Sequence, residues 1–125
     1  MADPVGEFTL EHKGTTYIKT DDGLDNYINF SGSATGYGSV FGTLKASNPL
    51  TGTIPTTGPC TWTSQAFLED GTTVTAHGEG TFEQNANEHK WKINLNIQIS
   101  NGDNLRSEGE IDLETLVFSG VMFEA

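Results

Sequence analysis

Residues 91–114 read WKINLNIQISNGDNLRSEGEIDLE and contain two alternating runs on either side of residues 101–103. From Trp91 to Ile99 every second residue is apolar, and the residues between are Lys, Asn or Gln. From Leu105 to Leu113 small or apolar residues alternate with Arg, Glu and Asp. A period of two predicts strands with one buried face. The short glycine-containing link between the runs predicts a hairpin.

The same pattern extends over most of the chain, and no segment has a sustained helical period. We predict further strands over Tyr27–Ala34, Ser39–Ser47, Cys60–Leu68, Val74–Phe82 and Leu116–Glu124. A first hairpin, Phe8–Leu10 with Thr16–Lys19, is predicted to turn at Lys13-Gly14, and residues 48–59 hold three of the four prolines and are predicted to form a loop. About eight hairpin-linked strands in a short chain must curl, and closure removes their edges. We therefore predict an all-β fold, a single antiparallel barrel over residues 1–125, with a β-sandwich as the alternative.

Charged residues provide a register for the last two runs. If residues 101–103 form a three-residue loop, Lys92 lies opposite Asp112 and Lys90 lies opposite Glu114. Opposite charges on paired strands stabilise each other weakly. These pairs agree with the apolar alternation, which supports the predicted hairpin.

The link at residues 69–71 leaves two interpretations open. A three-residue loop with Gly71 in the left-handed conformation places Trp62 and Ala66 on the inner face. A two-residue Asp70-Gly71 turn would reverse the faces and place Phe67 inside.

Several glycines lie inside the predicted strands, where each weakens the strand. They are Gly32, Gly36, Gly38, Gly42, Gly78, Gly80, Gly109 and Gly120. Glycine allows a strand to coil sharply when an aromatic ring covers the gap. Alternatively, small inward residues leave a hollow beside the large aromatic side chains. The two explanations are compatible.

A hollow barrel predicts a ligand site on its inner face or at its mouth. The candidate ligand-binding residues are Tyr27, Tyr37, Trp62, Ser64, Phe82, Trp91 and Arg106. The first functional hypothesis is that the barrel binds a small apolar molecule. The second is a cyclase or isomerase that needs no cofactor and works by positioning and acid–base chemistry. The third is an interaction, structural or carbohydrate-binding module that acts through its outer surface.

The charge of the chain limits the classes of partner that it can bind. The chain has 125 residues, six Lys and Arg against 17 Asp and Glu, and a net charge of −11. This acidity is contrary to what nucleic acid or an anionic membrane surface requires, so neither is expected as a partner. The lone Cys60, the lack of a signal-peptide pattern and the lack of a long apolar run predict a cytoplasmic protein.

No metal, cofactor or nucleophile motif stands out. The three histidines lack metal-ligand spacing, although His77 and Glu79 share one strand face near Glu108 and Glu110. Cys60 has no evident histidine partner and is interpreted as a small buried residue. We expect neither a metal nor a cofactor.

The last strand is apolar on both faces. Leu116, Phe118 and Met122 alternate with Val117, Val121 and Phe123. The outer face must be covered by the N-terminal segment or by a second protomer. A homodimer through Leu116–Glu124 is the predicted arrangement.

Short hairpin-linked strands with Gly-x-Gly in mid-strand, as at Gly78 and Gly80, resemble calycin-type and allene-oxide-cyclase-like barrels in architecture. The lipocalin Gly-x-Trp near the N-terminus and an avidin-like signature do not occur, so we assign no family. The resemblance implies a barrel that holds a small apolar ligand.

Overall fold

The computed structural model describes residues 3–125 as eight antiparallel strands closed into a barrel. Each strand pairs with its neighbours in sequence, and β1 pairs with β8 to close the wall. The strands are β1 (Gly6–Lys19), β2 (Gly23–Ala34), β3 (Gly38–Pro49), β4 (Thr57–Phe67), β5 (Thr73–Gln84), β6 (Lys90–Ile99), β7 (Asn104–Asp112) and β8 (Val117–Glu124). The predicted barrel is confirmed, and the sandwich alternative is wrong. Within residues 3–125 there is no helix long and apolar enough to cross a membrane.

The predicted first hairpin around Lys13-Gly14 is wrong, because β1 is one continuous strand with a bulge. His12 pairs with Phe30 and Gly14 pairs with Asn29, so Lys13 is an extra residue with no partner on β2. Gly14 has a φ of 145°, a value that side-chain-bearing residues rarely adopt. The chain reverses instead at residues 20–22.

The hairpin between β6 and β7 keeps the predicted faces but not the predicted register. The Ile99 N–H donates to the Asp103 carbonyl at 2.9 Å, so the three-residue loop is 100–102 and ends on left-handed Gly102. Because the loop begins one residue earlier than predicted, Lys90 pairs with Asp112 and not with Glu114. A shift of two residues leaves each side chain on its original face.

The β4–β5 hairpin confirms the three-residue loop at 69–71. The Leu68 N–H donates to the Thr72 carbonyl at 2.9 Å, and Gly71 is left-handed with a φ of 91°. Trp62 and Ala66 are accordingly buried, and Phe67 is exposed. The two-residue alternative is wrong.

The proline-rich loop is shorter than predicted, since β3 ends at Pro49 and β4 begins at Thr57. Strands β3 and β4 pair only from Ser39 to Lys45, opposite Phe67 to Thr61. Pro49 and Pro59 both lie beyond this ladder. Proline has no backbone N–H, and at these positions β3 and β4 form no hydrogen bonds with each other, so the lack of a donor costs nothing there. The wall between β3 and β4 is therefore unpaired at one end of the barrel.

Aromatic rings cover glycines inside the barrel. A Cβ on Gly42 would overlap the Trp62 ring, and a Cβ on Gly109 would lie 2.7 Å from the Phe8 ring. These contacts support the coiling explanation, because each ring fills the gap beside a glycine of another strand: Trp62 from the adjacent β4, and Phe8 from β1, two strands away. Space also remains at both ends of the interior, but no glycine of residues 3–125 lines it, so coiling is the explanation that the structure supports for the glycines.

Candidate functional site

A layer of aromatic rings divides the barrel interior into two chambers. The Phe118 ring centroid lies 5.3 Å from that of Phe30, 6.0 Å from that of Trp62 and 5.0 Å from that of Phe8. These edge-on and tilted geometries are the favourable ones for aromatic pairs. Phe118 is 2% exposed, and it lies at the centre of this aromatic partition.

The larger space, which we call the mouth chamber, lies where β1, β3, β5 and β7 end. Its volume is about 260 Å³, comparable to about nine water molecules. Phe30 of the partition lines it, and its walls are mainly apolar. The apolar lining includes Ile28, Leu44, Phe82, Trp91, Ile93 and Ile111. A molecule of one or two rings matches this size and lining.

The entrance to the mouth chamber is rimmed by exposed apolar side chains. Tyr17, Ile54, Leu113 and Leu116 all line the chamber, and their exposed fractions are 67%, 54%, 47% and 46%. We call these four residues the apolar rim. Large apolar side chains in water that are continuous with an apolar interior mark an interaction or ligand-entry surface.

The unpaired part of the β3–β4 wall opens into the mouth chamber. The loop 50–56 follows β3 there, and its Ile54 and Pro55 line the chamber. The loop is held to β5 at its far end, where the Gln84 N–H donates to the Thr56 carbonyl at 2.7 Å. One side of the mouth chamber is thus formed by a loop and not by a hydrogen-bonded strand pair.

The bulge in β1 determines which side chains of that strand line the chamber. Because Lys13 is an extra residue, His12, Thr15 and Tyr17 all line the chamber. The His12 Nε2 lies 2.8 Å from the Thr15 hydroxyl, within hydrogen-bond distance. The imidazole also packs edge-on against Phe30, with centroids 6.1 Å apart, so it sits near the chamber floor.

Cys60 contributes a buried thiol to the same chamber. Burial raises the pKa of this thiol to about 11. A neutral thiol is a poor nucleophile. Cys60 therefore acts as a small apolar lining residue, in agreement with the interpretation from sequence.

The smaller space, the inner chamber, lies on the other side of the aromatic partition. Its volume is about 70 Å³, and apolar side chains form nearly all of its lining. At this end the Tyr37 hydroxyl donates a 2.6 Å hydrogen bond to Asp103 Oδ2. The two residues lie in or beside the β2–β3 and β6–β7 turns, half the circumference apart, so the bond spans the end of the barrel.

The pKa of Tyr37 is raised, first by burial and then by its hydrogen bond and charge interaction with Asp103. A raised tyrosine pKa keeps the hydroxyl protonated and able to donate. The bond therefore persists throughout the neutral pH range.

The structure places five of the seven predicted site residues at the two chambers. Phe82 and Trp91 line the mouth chamber, whereas Tyr37, Trp62 and Ser64 line the inner chamber. Their predicted role in ligand binding stays a prediction.

The predicted positions of Tyr27 and Arg106 are wrong, because both side chains are on the outer face. The Lys45 ammonium lies 5.9 Å from the Tyr27 ring centroid. Arg106 pairs with Glu108 at 2.7 Å and covers the Phe123 ring, with its guanidinium carbon 4.3 Å from the ring centroid. Alternation explains both positions, since Ile28 and Leu105 are the inward neighbours.

Sequence reasoning missed four polar residues that line the mouth chamber, namely His12, Thr15, Asn26 and Asn48. The predicted break in the first strand hid His12 and Thr15, although an isolated Gly14 within a strand pattern is a signal for a bulge. Asn26 and Asn48 lie just outside the predicted strand bounds, so no face was assigned to them.

The outer surface carries the other features singled out from sequence. His77 and Glu79 are exposed, with Nε2 3.7 Å from Oε1, and no cluster of three metal-ligand side chains occurs in the part of the chain that the structure describes. On β8, Val117, Val121 and Phe123 are half-buried on the outer face. Arg106 covers part of this face, and the predicted homodimer stays a prediction.

Comparison with known proteins finds no matching family model, no matching curated protein and no matching solved structure.

Proposed function

We propose that this protein binds a small, largely apolar molecule in the mouth chamber. The observation that carries the proposal is an apolar chamber of about 260 Å³ that opens through the apolar rim. Such concave sites with a few polar groups are the usual form of small-molecule sites. The ligand would be of one or two rings, because the aromatic partition limits the depth of the chamber.

Backbone strain at the rim supports the proposal. Leu116 has a φ of 60°, a left-handed conformation that costs a residue with a side chain about 1–2 kcal/mol. Glycine would adopt it freely, yet this position carries a half-exposed leucine that lines the entrance. Strained residues of this kind concentrate at ligand sites.

The inner chamber is the poorer candidate. Its volume of about 70 Å³ corresponds to about two water molecules. The Tyr37–Asp103 bond spans the end through which a ligand would enter. The ligand is therefore assigned to the mouth chamber.

Native mass spectrometry of the protein as purified, together with calorimetric titration with naphthalene, tests the proposal. The wild type is expected to carry a mass that is lost on denaturation, or to bind naphthalene when purified empty. Ala46→Phe places a ring in the chamber that Ala46 lines and should abolish both signals. Ser47→Phe, its exposed neighbour on β3, is the matched control and should retain them. A wild type with neither signal, or signals that survive Ala46→Phe, would refute the proposal.

A catalytic role for the same chamber has one observation in its favour. His12 brings an imidazole to the chamber floor, next to the Thr15 hydroxyl. Imidazole is the most common acid–base group in enzymes, so this geometry supports the cyclase or isomerase hypothesis. Once the bound molecule is identified, His12→Gln distinguishes the two roles. An enzyme would lose turnover and keep most of its affinity, whereas a binding protein has no turnover to lose.

A further inference from the structure

The polar side chains of the mouth chamber are concentrated on one side, where they lie among apolar residues such as Ile28 and Leu44. Its polar side chains His12, Thr15, Asn26 and Asn48 belong to β1, β2 and β3. The strands across the barrel, β5 to β7, contribute Phe82, Trp91, Ile93 and Ile111. Gln84 is the polar exception on that side, and its amide donates to the Glu88 carbonyl at 2.7 Å. A ligand that fits both sides has one polar edge and an otherwise apolar body.

Asn26 has the one buried side-chain oxygen on this wall that lacks a hydrogen-bond partner among residues 3–125. Its Oδ1 is buried and accepts no hydrogen bond from any residue in the range 3–125. His12 and Thr15, in contrast, lie within hydrogen-bond distance of each other. A buried carbonyl oxygen without a donor is destabilising, so natural structures rarely contain one.

Asn26 and its two cross-strand neighbours all face the chamber, so a hydrogen-bond donor for Asn26 can come from a molecule bound there. Asn26 pairs with Tyr17 on β1 and with Ala46 on β3, and all three side chains line the chamber. The torsion that turns an asparagine amide is broad, so a small rotation can present Oδ1 to a bound molecule. Neither Ala46 nor Tyr17 donates a hydrogen bond to this oxygen.

We infer that the chamber selects ring molecules that carry a hydroxyl or amino group, which donates a hydrogen bond to Asn26 Oδ1. This inference rests on the proposed function, since it specifies the ligand of the same chamber. The apolar side accepts the rings, and Asn26 distinguishes a hydroxylated or aminated molecule from the plain hydrocarbon. Sites built to hydrogen-bond a ligand group discriminate strongly against analogues that lack it.

The test compares calorimetric titrations with naphthalene and 2-naphthol, which share one ring system and differ by a hydroxyl. The wild type should bind 2-naphthol about tenfold more tightly, the ratio expected for one well-formed hydrogen bond in a buried site. Asn26→Leu replaces the amide with an apolar group of similar size, and the two affinities should then agree within about threefold. Asn29→Leu is the matched control on the outer face of β2, and it should keep the preference.

The outcomes separate this inference from the proposed function. Equal binding of the two probes to the wild type overturns the inference and leaves the proposed function intact, whereas failure of both to bind to protein that is purified empty overturns both. A preference that survives in Asn26→Leu overturns the assignment to Asn26. Should Asn26→Leu fail to fold, Asn26→Ala carries the same comparison. Thermal unfolding without probe adds a second readout, because removal of an unpaired buried acceptor should not lower the Tm of Asn26→Leu.

Discussion

Phe118→Leu tests whether the aromatic partition holds the barrel together. Phe118 takes part in three aromatic pairs, with Phe8, Phe30 and Trp62. Each such pair contributes about 0.5–1.5 kcal/mol beyond the area it buries, so the loss of three predicts a destabilisation of about 1.5–4.5 kcal/mol. For a domain of this size, that loss lowers the Tm by about 5–20 °C.

Urea denaturation followed by tryptophan fluorescence and circular dichroism measures the change. The matched control is Phe67→Leu, the same substitution at an exposed ring with one aromatic partner, Phe41, at 5.8 Å. The control should cost no more than about 1.5 kcal/mol. The slope of free energy against urea should not change in either variant, because the unfolded surface is the same. Equal losses in the two variants would refute the idea that Phe118 organises the interior.

Two further predictions concern the inner chamber bond and the buried thiol. The pKa of Tyr37 is raised in the native state. The Tyr37 hydroxyl therefore stabilises the folded protein fully below the ordinary tyrosine pKa of about 10, and this contribution is lost as the pH rises above that value. Tyr37→Phe should therefore lower the free energy of unfolding by about 0.5–1.5 kcal/mol at neutral pH. In urea titrations the difference from the wild type should shrink above about pH 10. A difference that does not depend on pH would contradict the role of the hydroxyl. Because the pKa of Cys60 is raised from 9.0 to about 11, its alkylation by iodoacetamide near neutral pH should be at least about 100-fold slower than in the urea-unfolded chain. Saturating naphthalene should slow it further, and alkylation at the rate of the unfolded chain would show that the thiol is not buried.

The barrel could be predicted from the sequence, because hydrophobic alternation assigns the buried face of a strand correctly even when the strand register is wrong by an even number of residues. The β6–β7 register was predicted two residues away from its true value, yet Ile93, Leu95 and Ile111 still face the core. An even shift preserves the faces of a strand, whereas an odd shift reverses them. The same logic made the β4–β5 loop decisive, since its length determined that Trp62 is inside and Phe67 is outside.

The polar residues of the site were harder to predict, because they lie beside the bulge in β1 or just outside the predicted bounds of the strands. In β1 the extra residue Lys13 changes the parity, so that Thr15 and Tyr17 line the chamber and Ile18 is exposed. Uninterrupted alternation from His12 would have placed Ile18 inside, which is the choice that hydrophobicity favours. The bulge thus places Thr15 and Tyr17 on the chamber wall, in place of Thr16 and Ile18.

The mouth chamber lies at the end of the barrel where the wall has the fewest hydrogen bonds between strands. At the inner end the Tyr37–Asp103 bond connects turns on opposite sides of the barrel. At the mouth end β3 and β4 have no ladder between them beyond Lys45 and Thr61, and the loop 50–56 covers the gap. Segments with few backbone hydrogen bonds open at the lowest free-energy cost. On the proposed function, a ligand would enter between the loop and the rim residues Tyr17, Leu113 and Leu116. This path breaks no hydrogen bond between β3 and β4, and it leaves the aromatic partition and the rest of the wall closed.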